Sequence, residues 1–208
     1  MENLREILSS FTQDDFYKNV NLHIHTSYSD GLGDPNQIVS TAKNRGMKLI
    51  SITDHNTLEA HKKINDEILL TGVEFDCWCG YVFLHLLAYG IDINHPEIIP
   101  FLAKNKKETE DVIPRLFTRR NLKKLITAIH SAGGIAVLAH PACCWALNLE
   151  KFVEKLIKLG LDGIEIYYPY PRFRKFVKFH SEDTVLKIAE AHPELIKTGG
   201  TDFHDETF

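Results

Sequence analysis

Seven short apolar runs rich in β-branched residues constrain this chain more than any other feature. They are "VNLHIH" (20–25), "KLISIT" (48–53), "LLTGVEF" (69–75), "YVFLHLLAY" (81–89), "GIAVLAH" (134–140), "GIEIYY" (163–168) and "ELIKTGGT" (194–201). Runs of this length read as strands, and their near-continuous apolarity means that both faces are covered. Between them, 35–45 carries Ile38, Val39 and Ala42 at helical spacing, opened by Pro35 and followed by Gly46; these are helix start and stop signals. The segments 57–68, 121–132, 149–159 and 183–191 read as helices on the same grounds. Strand–helix alternation predicts a parallel sheet covered by helices, an α/β fold. A chain of 208 residues can bury one sizeable core, and seven strands suit an open doubly wound sheet or a barrel.

An open nucleotide-binding sheet carries a glycine-rich phosphate loop after its first strand. Here that place holds "NLHIHTSYSDG", 21–31. His23 and His25 are two apart, so both face one side of an extended strand, and Asp30 follows in a Ser-Asp-Gly turn. Two converging imidazoles repel once both are protonated, and a cation held between their lone pairs removes that penalty. In a barrel the loops after the strands meet at one rim, where chemistry collects. The titratable residues sort that way: Asp54 and His55 after the second run, Glu74 in the third, His140 after the fifth, Glu165 in the sixth, Asp202 and His204 after the seventh. His85 lies inside the fourth. Glu165 either joins this set or holds Arg172 or Arg174. His61, His95, His130, His180 and His192 fall in helices and loops and read as solvated or capping residues.

Mixed imidazole and carboxylate donors suit zinc, manganese or iron better than calcium or magnesium alone. Their number exceeds what one ion takes, which implies two or three divalent metal ions with bridging carboxylates. Two ions about 3.5–4 Å apart can clamp a phosphoryl oxygen and activate water. No nucleophile elbow surrounds Ser27 or Ser29, which read as turn hydroxyls. The net charge of −4 and the lack of a basic tract argue against duplex DNA and anionic membranes as partners. "MENLREILSSF" has no signal-peptide core, and no apolar run approaches the ~20 residues of a span. The cysteines, in "CWC" (Cys77, Cys79) and "CC" (Cys143, Cys144), match neither a zinc ribbon nor a thioredoxin-like site. Reduced thiols and a cytoplasmic protein are expected.

"HIHTSYSDG", "SITDHNT", "GVE", "HLLAYG", "AHP" and "GTDFH" resemble, in order and across about 20–204, the motifs of the PHP (polymerase and histidinol phosphatase) superfamily. The resemblance implies a distorted (β/α)7 barrel with a trinuclear metal site at the C-terminal rim of the strands. It implies a single PHP domain over 1–208, in which 1–19 is an N-terminal helical extension. By that resemblance one metal takes His23, His25, Glu74 and Asp202, with Glu74 bridging to a second completed by His85 and His140. A third takes Asp30, His55 and His204, and Asp54 orients His55 or a metal-bound water.

"GVE", "AYGID", "AGGIAVLAHP" and "DGIEIY" are similar to the small stand-alone metal-dependent phosphoesterases of that superfamily. This implies hydrolysis of a phosphate monoester, of a nucleotide or similar small molecule, by a metal-bridging hydroxide. Exonuclease action on short RNA or DNA phosphodiesters is the alternative, and "YYPYPRFRKFVKF" interleaves aromatic and basic residues as a single-strand binder would. A non-catalytic module is the third reading. Charge on the equatorial oxygens would be met by Arg172 and Arg174, or by Arg119 or Arg120, and the leaving oxygen protonated by His204 or Asp202. One departure stands out. Those relatives insert a helical lid before "AGG", whereas only the shortened segment 94–131 fills that gap here, which suggests a more open site.

Overall fold

The computed structural model describes residues 2–170, 178–206 and 208. All seven runs form strands: β1 (Val20–Ile24), β2 (Leu49–Ile52), β3 (Leu69–Cys79), β4 (Val82–Tyr89), β5 (Ile135–Leu138), β6 (Gly163–Tyr167) and β7 (Ile196–Gly199). They pair in chain order within one sheet. The sheet curls until its edges meet, where a parallel bridge joins Ile24 to Phe203 beyond β7 and the His25 amide donates to the Phe203 carbonyl at 2.8 Å. This is a distorted α/β barrel.

It is not wholly parallel, however. β4 runs antiparallel to both β3 and β5. A parallel return needs a crossover of a dozen or more residues, but only Gly80 and Tyr81 separate β3 from β4. With Gly80 at φ 67°, that link makes a hairpin. The hairpin carries β3 past Glu74 to Cys79 and sets Asp76 directly opposite His85.

The helices among the described residues are α1 (Glu2–Ser10), α2 (Gln13–Lys18), α3 (Pro35–Asn44), α4 (Glu59–Lys63), α5 (Lys107–Glu110), α6 (Val112–Leu116), α7 (Leu122–Ser131), α8 (Leu149–Lys158) and α9 (Glu182–Ala191). The Asp34 carboxylate accepts from the Asn36 and Gln37 amides at 2.9 and 3.1 Å, satisfying donors that α3 cannot. Asn121, Asn148 and Ser181 cap α7, α8 and α9 likewise. The helix expected over 57–68 contracts to α4. No side chain caps its start, and Asp66 accepts the Ile68 amide at 3.2 Å, turning the chain toward β3. Leu125 and Ile129 of α7, Val153 and Leu156 of α8 and Ile188 of α9 then pack with β3–β6 in the main core. No helix among the described residues is long and apolar enough to cross a membrane.

Helices α1 and α2 cover the end of the barrel away from the histidines. Leu8, fully buried, packs with Leu22, Tyr89, Ile135 and Ile196. Asp162 fastens this end: Arg5 donates to it from α1, His130 Nε2 lies at 2.7 Å from α7, and the Ala136 amide donates at 2.8 Å. Burial opposes ionisation of Asp162, but these donors hold its carboxyl below the ordinary 3.8. Because the folded value is depressed, the stabilisation is complete above that pH and fades as the pH falls below it. Asp162→Asn should therefore cost about 1–3 kcal/mol at neutral pH. The gap between its urea midpoint and that of the wild type should shrink below about pH 4; a gap that stays constant through that range would contradict an ionic role.

Candidate metal centre

Strand β1 and the residue after it present His23 and His25 to one side of the sheet, both fully buried. The chain beyond β7 can lie against them because Gly200 has no side chain; a Cβ there would fall 2.5 Å from the His23 amide nitrogen. Glu74, on β3, is the hub. Its Oε1 lies 3.4 Å from His23 Nε2, 2.9 Å from His85 Nδ1 and 3.2 Å from His140 Nε2. Its Oε2 lies 3.3 Å from His25 Nε2 and 3.2 Å from His55 Nδ1. Asp202 Oδ1 is 3.4 Å from His23 Nε2 and 3.1 Å from His25 Nε2, and the Tyr168 hydroxyl donates to Oδ2 of the same carboxylate. At the mouth, Asp30 Oδ1 is 3.3 Å from His204 Nε2, and Asp30 Oδ2 is 3.5 Å from His55 Nε2.

His23, His25, Asp30, His55, Glu74, His85, His140, Asp202 and His204 thus fall into overlapping groups. Within each group the ligand atoms lie within 4.8 Å of one another. Asp76 joins them, its Oδ1 3.1 Å from His85 Nε2. Among the described residues the non-glycine positions with positive φ are Asn56 (56°), His140 (26°) and Asp202 (49°). Each costs on the order of 1–3 kcal/mol and persists only where the surroundings impose it. Two of the three are donors in these groups, and the other follows His55.

The residues fit a divalent cation. His23 Nε2, His25 Nε2 and Glu74 Oε2 are buried without a hydrogen-bond partner, although buried polar atoms are nearly always paired. Their close mutual approach leaves electron pairs converging on one volume. The charge balance agrees. Burial opposes ionisation of Glu74, but the imidazoles around it, His85 first, hold its carboxyl well below the usual range. Asp30 and Asp76 are lowered in the same way. Burial would lower His25, yet Asp202 and Glu74 push it up to about 9. The carboxylates therefore stay ionised and draw positive charge inward.

Glu165 orients this set. Its Oε1 accepts from His23 Nδ1 at 2.9 Å and its Oε2 from the His140 amide at 2.8 Å, which turns His23 Nε2 toward Glu74. Arg172 and Arg174 lie outside the described residues. Asp54 is placed differently from expectation. Its carboxylate accepts from the Thr26 amide and hydroxyl, both at 2.7 Å, and from the Ser29 hydroxyl at 2.6 Å. It therefore braces the loop that carries Asp30 rather than orienting His55. Gly31 folds that loop back tightly enough to bring the donors within reach; a Cβ there would lie 2.5 Å from the His25 carbonyl carbon. His61 is no solvated residue. Its Nε2 sits 2.8 Å from the Ile52 carbonyl and 3.1 Å from the Gly72 amide, between β2 and β3.

Two residues at the centre escaped the reading of the sequence. Asp76 is two residues past Glu74 and so shares its face, a signal hidden by ending the third strand at Phe75. Arg115, in α6, carries no motif at all, yet it is buried. Its Nε lies 3.2 and 3.1 Å from the two Asp76 oxygens, and its Nη1 donates to Asp30 Oδ2 at 2.6 Å. Its Nη2 is 3.2 Å from Asp76 Oδ1, 2.8 Å from His55 Nδ1 and closer still to His55 Nε2. Burial holds His55 well below its ordinary value, with Arg115 acting in the same direction.

The short segment 94–131 therefore does not leave the rim open. It lies across it, with the Ala103 amide donating to the Asn56 carbonyl at 2.7 Å and Trp78 Nε1 to the Leu116 carbonyl at 2.8 Å. The cation it turns inward is Arg115. Arg119 is exposed, and Arg120 braces the segment by donating to the Phe101 and Asp76 carbonyls at 2.7 and 3.2 Å.

A curled seven-stranded barrel that gathers six imidazoles and four carboxylates at one rim defines the class of α/β metal-centre barrels. Within that class the chain belongs to the PHP family, whose domain profile matches residues 21–168. It is similar to an uncharacterized protein of Methanocaldococcus jannaschii, 29% identical over 167 residues that cover 73% of this chain and 82% of the other. It is also similar to the 5′-3′ exoribonuclease Rnm of Escherichia coli, 28% identical over 160 residues that cover 68% of this chain but 55% of the relative. Two solved structures share the fold, each over 90% of this chain and 88% of the neighbour. One is an amidohydrolase from Chromobacterium violaceum with bound sulfate (TM-score 0.73, 20% identity). The other is described as a metal-dependent phosphoesterase from Bifidobacterium adolescentis (TM-score 0.66, 21% identity).

Proposed function

We propose that this protein is a metal-dependent phosphoesterase that hydrolyses the phosphate monoester of a nucleotide or similar small molecule, in the cytoplasm. The observation that carries the reading is the convergence of His23 Nε2, His25 Nε2 and Glu74 Oε2, buried and without hydrogen-bond partners, among ionised carboxylates. His23, His25, Glu74 and Asp202 would hold one divalent ion, and Glu74, His85 and His140 another. What such ions supply when bound is Lewis acidity toward phosphoryl oxygens and a lowered pKa for water. The chain's own part is preorganisation: Glu165 fixes His23, Tyr168 fixes Asp202 and Asp54 fixes the Asp30 loop. At the mouth His204 is half-buried while Asp202 is buried. This favours His204 as the group that exchanges a proton with the leaving oxygen.

A cleft of about 350 Å³ opens beside His85 and His140, lined by Trp78, Tyr81, Phe83, Leu116 and Trp145. That volume is small for a binding site and its walls are aromatic, which suits one planar ring better than a strand of several bases. The exoribonuclease relatives support a second reading, removal of nucleotides from short RNA. The non-catalytic reading has less behind it, since every expected donor is present. The deciding assay compares nucleoside monophosphate and bisphosphate with a short 5′-phosphorylated RNA, in zinc or manganese, with and without chelator. Chelator-sensitive phosphate release from the nucleotides is expected. Release of mononucleotides from RNA alone would transfer the assignment to the second reading, and inactivity on every substrate would defeat both. Replacing Trp78 and Trp145 together by alanine should raise KM for the nucleotide at least about tenfold, since base–aromatic stacking is worth about 1–3 kcal/mol. Glycerol phosphate, which has no ring, should be affected little; an equal loss on both substrates would count against a ring-binding cleft.

A further inference from the structure

We propose that the Arg115 guanidinium is a resident cation of this centre, so that the chain binds two divalent ions rather than the three that its resemblance to the family implies. The proposal rests on the metal-centre reading above and concerns the end of the site formed by Asp30, His55 and Asp76. Two potential ligand groups meet there, His25–Asp30–His55–His204 and His55–Asp76–His85. Arg115 contacts two members of each.

The contacts use the same electron pairs that a metal would need. A guanidinium has five N–H donors and no acceptor, so each carboxylate oxygen it bonds, and one ring nitrogen of His55, must offer a lone pair. Asp76 receives both Nε and Nη2, Asp30 receives Nη1 and His55 receives Nη2. Its charge cannot be shed, because arginine stays protonated in proteins. Burial alone would ease proton loss, but Asp76 and Asp30 bind the charged form more tightly still and raise its pKa. A divalent ion on Asp30 and His55 would stand beside this fixed positive charge in a buried setting, where repulsion is poorly screened. At the opposite side the situation is reversed. His23 Nε2, His25 Nε2 and Glu74 Oε2, buried without hydrogen-bond partners, lie there together with His85, His140 and Asp202. That side retains donors for two ions bridged by Glu74.

The test is a metal count by elemental analysis after loading with excess zinc or manganese and desalting, joined to a competition titration with a chromophoric chelator. Two ions per wild-type chain are expected, three per chain of Arg115→Met, and two again in Arg115→Lys, which restores the charge. Circular dichroism establishes that each variant is folded. Three ions in the wild type would overturn the proposal, as would a folded Arg115→Met that still binds two. If Arg115→Met fails to fold, the wild-type count decides the matter alone. No bound metal in any form would overturn the metal-centre reading itself, a result distinct from an excess of one ion.

Discussion

Replacing Glu74 by glutamine is expected to abolish retention of divalent metal and to lower turnover of the proposed hydrolysis by about 10²–10³-fold, the scale of losing one principal electrostatic contact in an active site. The side chain keeps its volume, so packing in β3 is preserved. What changes is that one oxygen becomes an NH₂ group aimed at imidazole nitrogens. Five histidines lie within 3.4 Å of the Glu74 carboxylate. Loss of its charge therefore affects both proposed metal positions, whereas His140→Ala would remove a donor from one. Elemental analysis and a phosphate-release assay on the same sample check this. A variant that retains both its metal and its turnover would remove Glu74 from the centre.

The second large effect is expected at a residue that touches no metal in this arrangement. Glu165→Gln should weaken metal binding by about 10–100-fold, as removal of the group behind a ligand histidine does. Glu165 is fully buried and uses one oxygen on His23 Nδ1 and the other on the His140 amide. A glutamine keeps one acceptor oxygen but not both, so His23 Nδ1 and the His140 amide compete for it and His23 loses the fixed partner that sets its tautomer. Nitrogen chemical shifts of His23 should then report a mixture of ring tautomers where the wild type shows one, a readout that a merely structural role would leave unmoved. Unchanged metal affinity together with an unchanged tautomer would refute the assignment.

The PHP relationship also shows where this chain follows its own course. The neighbours that share the fold are near 20% identical, enough to carry a barrel but not a substrate. The matching exoribonuclease Rnm is little more than half covered. Substrate assignment therefore has to come from features of this molecule, above all the aromatic cleft between the β3–β4 hairpin and Trp145, and the short segment that places α6 over the rim.

What the sequence determined by itself was periodic or local. Seven apolar runs specified seven strands, Pro35 and Gly46 marked the two ends of a helix, and the His-x-His spacing placed two imidazoles on one face. These are legible because strand alternation and helix start and stop signals act within a few residues, as does the two-residue link Gly80–Tyr81 that makes β4 antiparallel. The tertiary structure alone decided the rest. Arg115 lies 39 residues from Asp76 and 85 from Asp30, Asp54 meets the Thr26–Ser29 loop instead of its neighbour His55, and His61 wedges between two strands. No periodicity encodes such pairings, because a buried charge or imidazole takes whichever partner the folded backbone brings within hydrogen-bond reach, and that choice exists only once the barrel has closed.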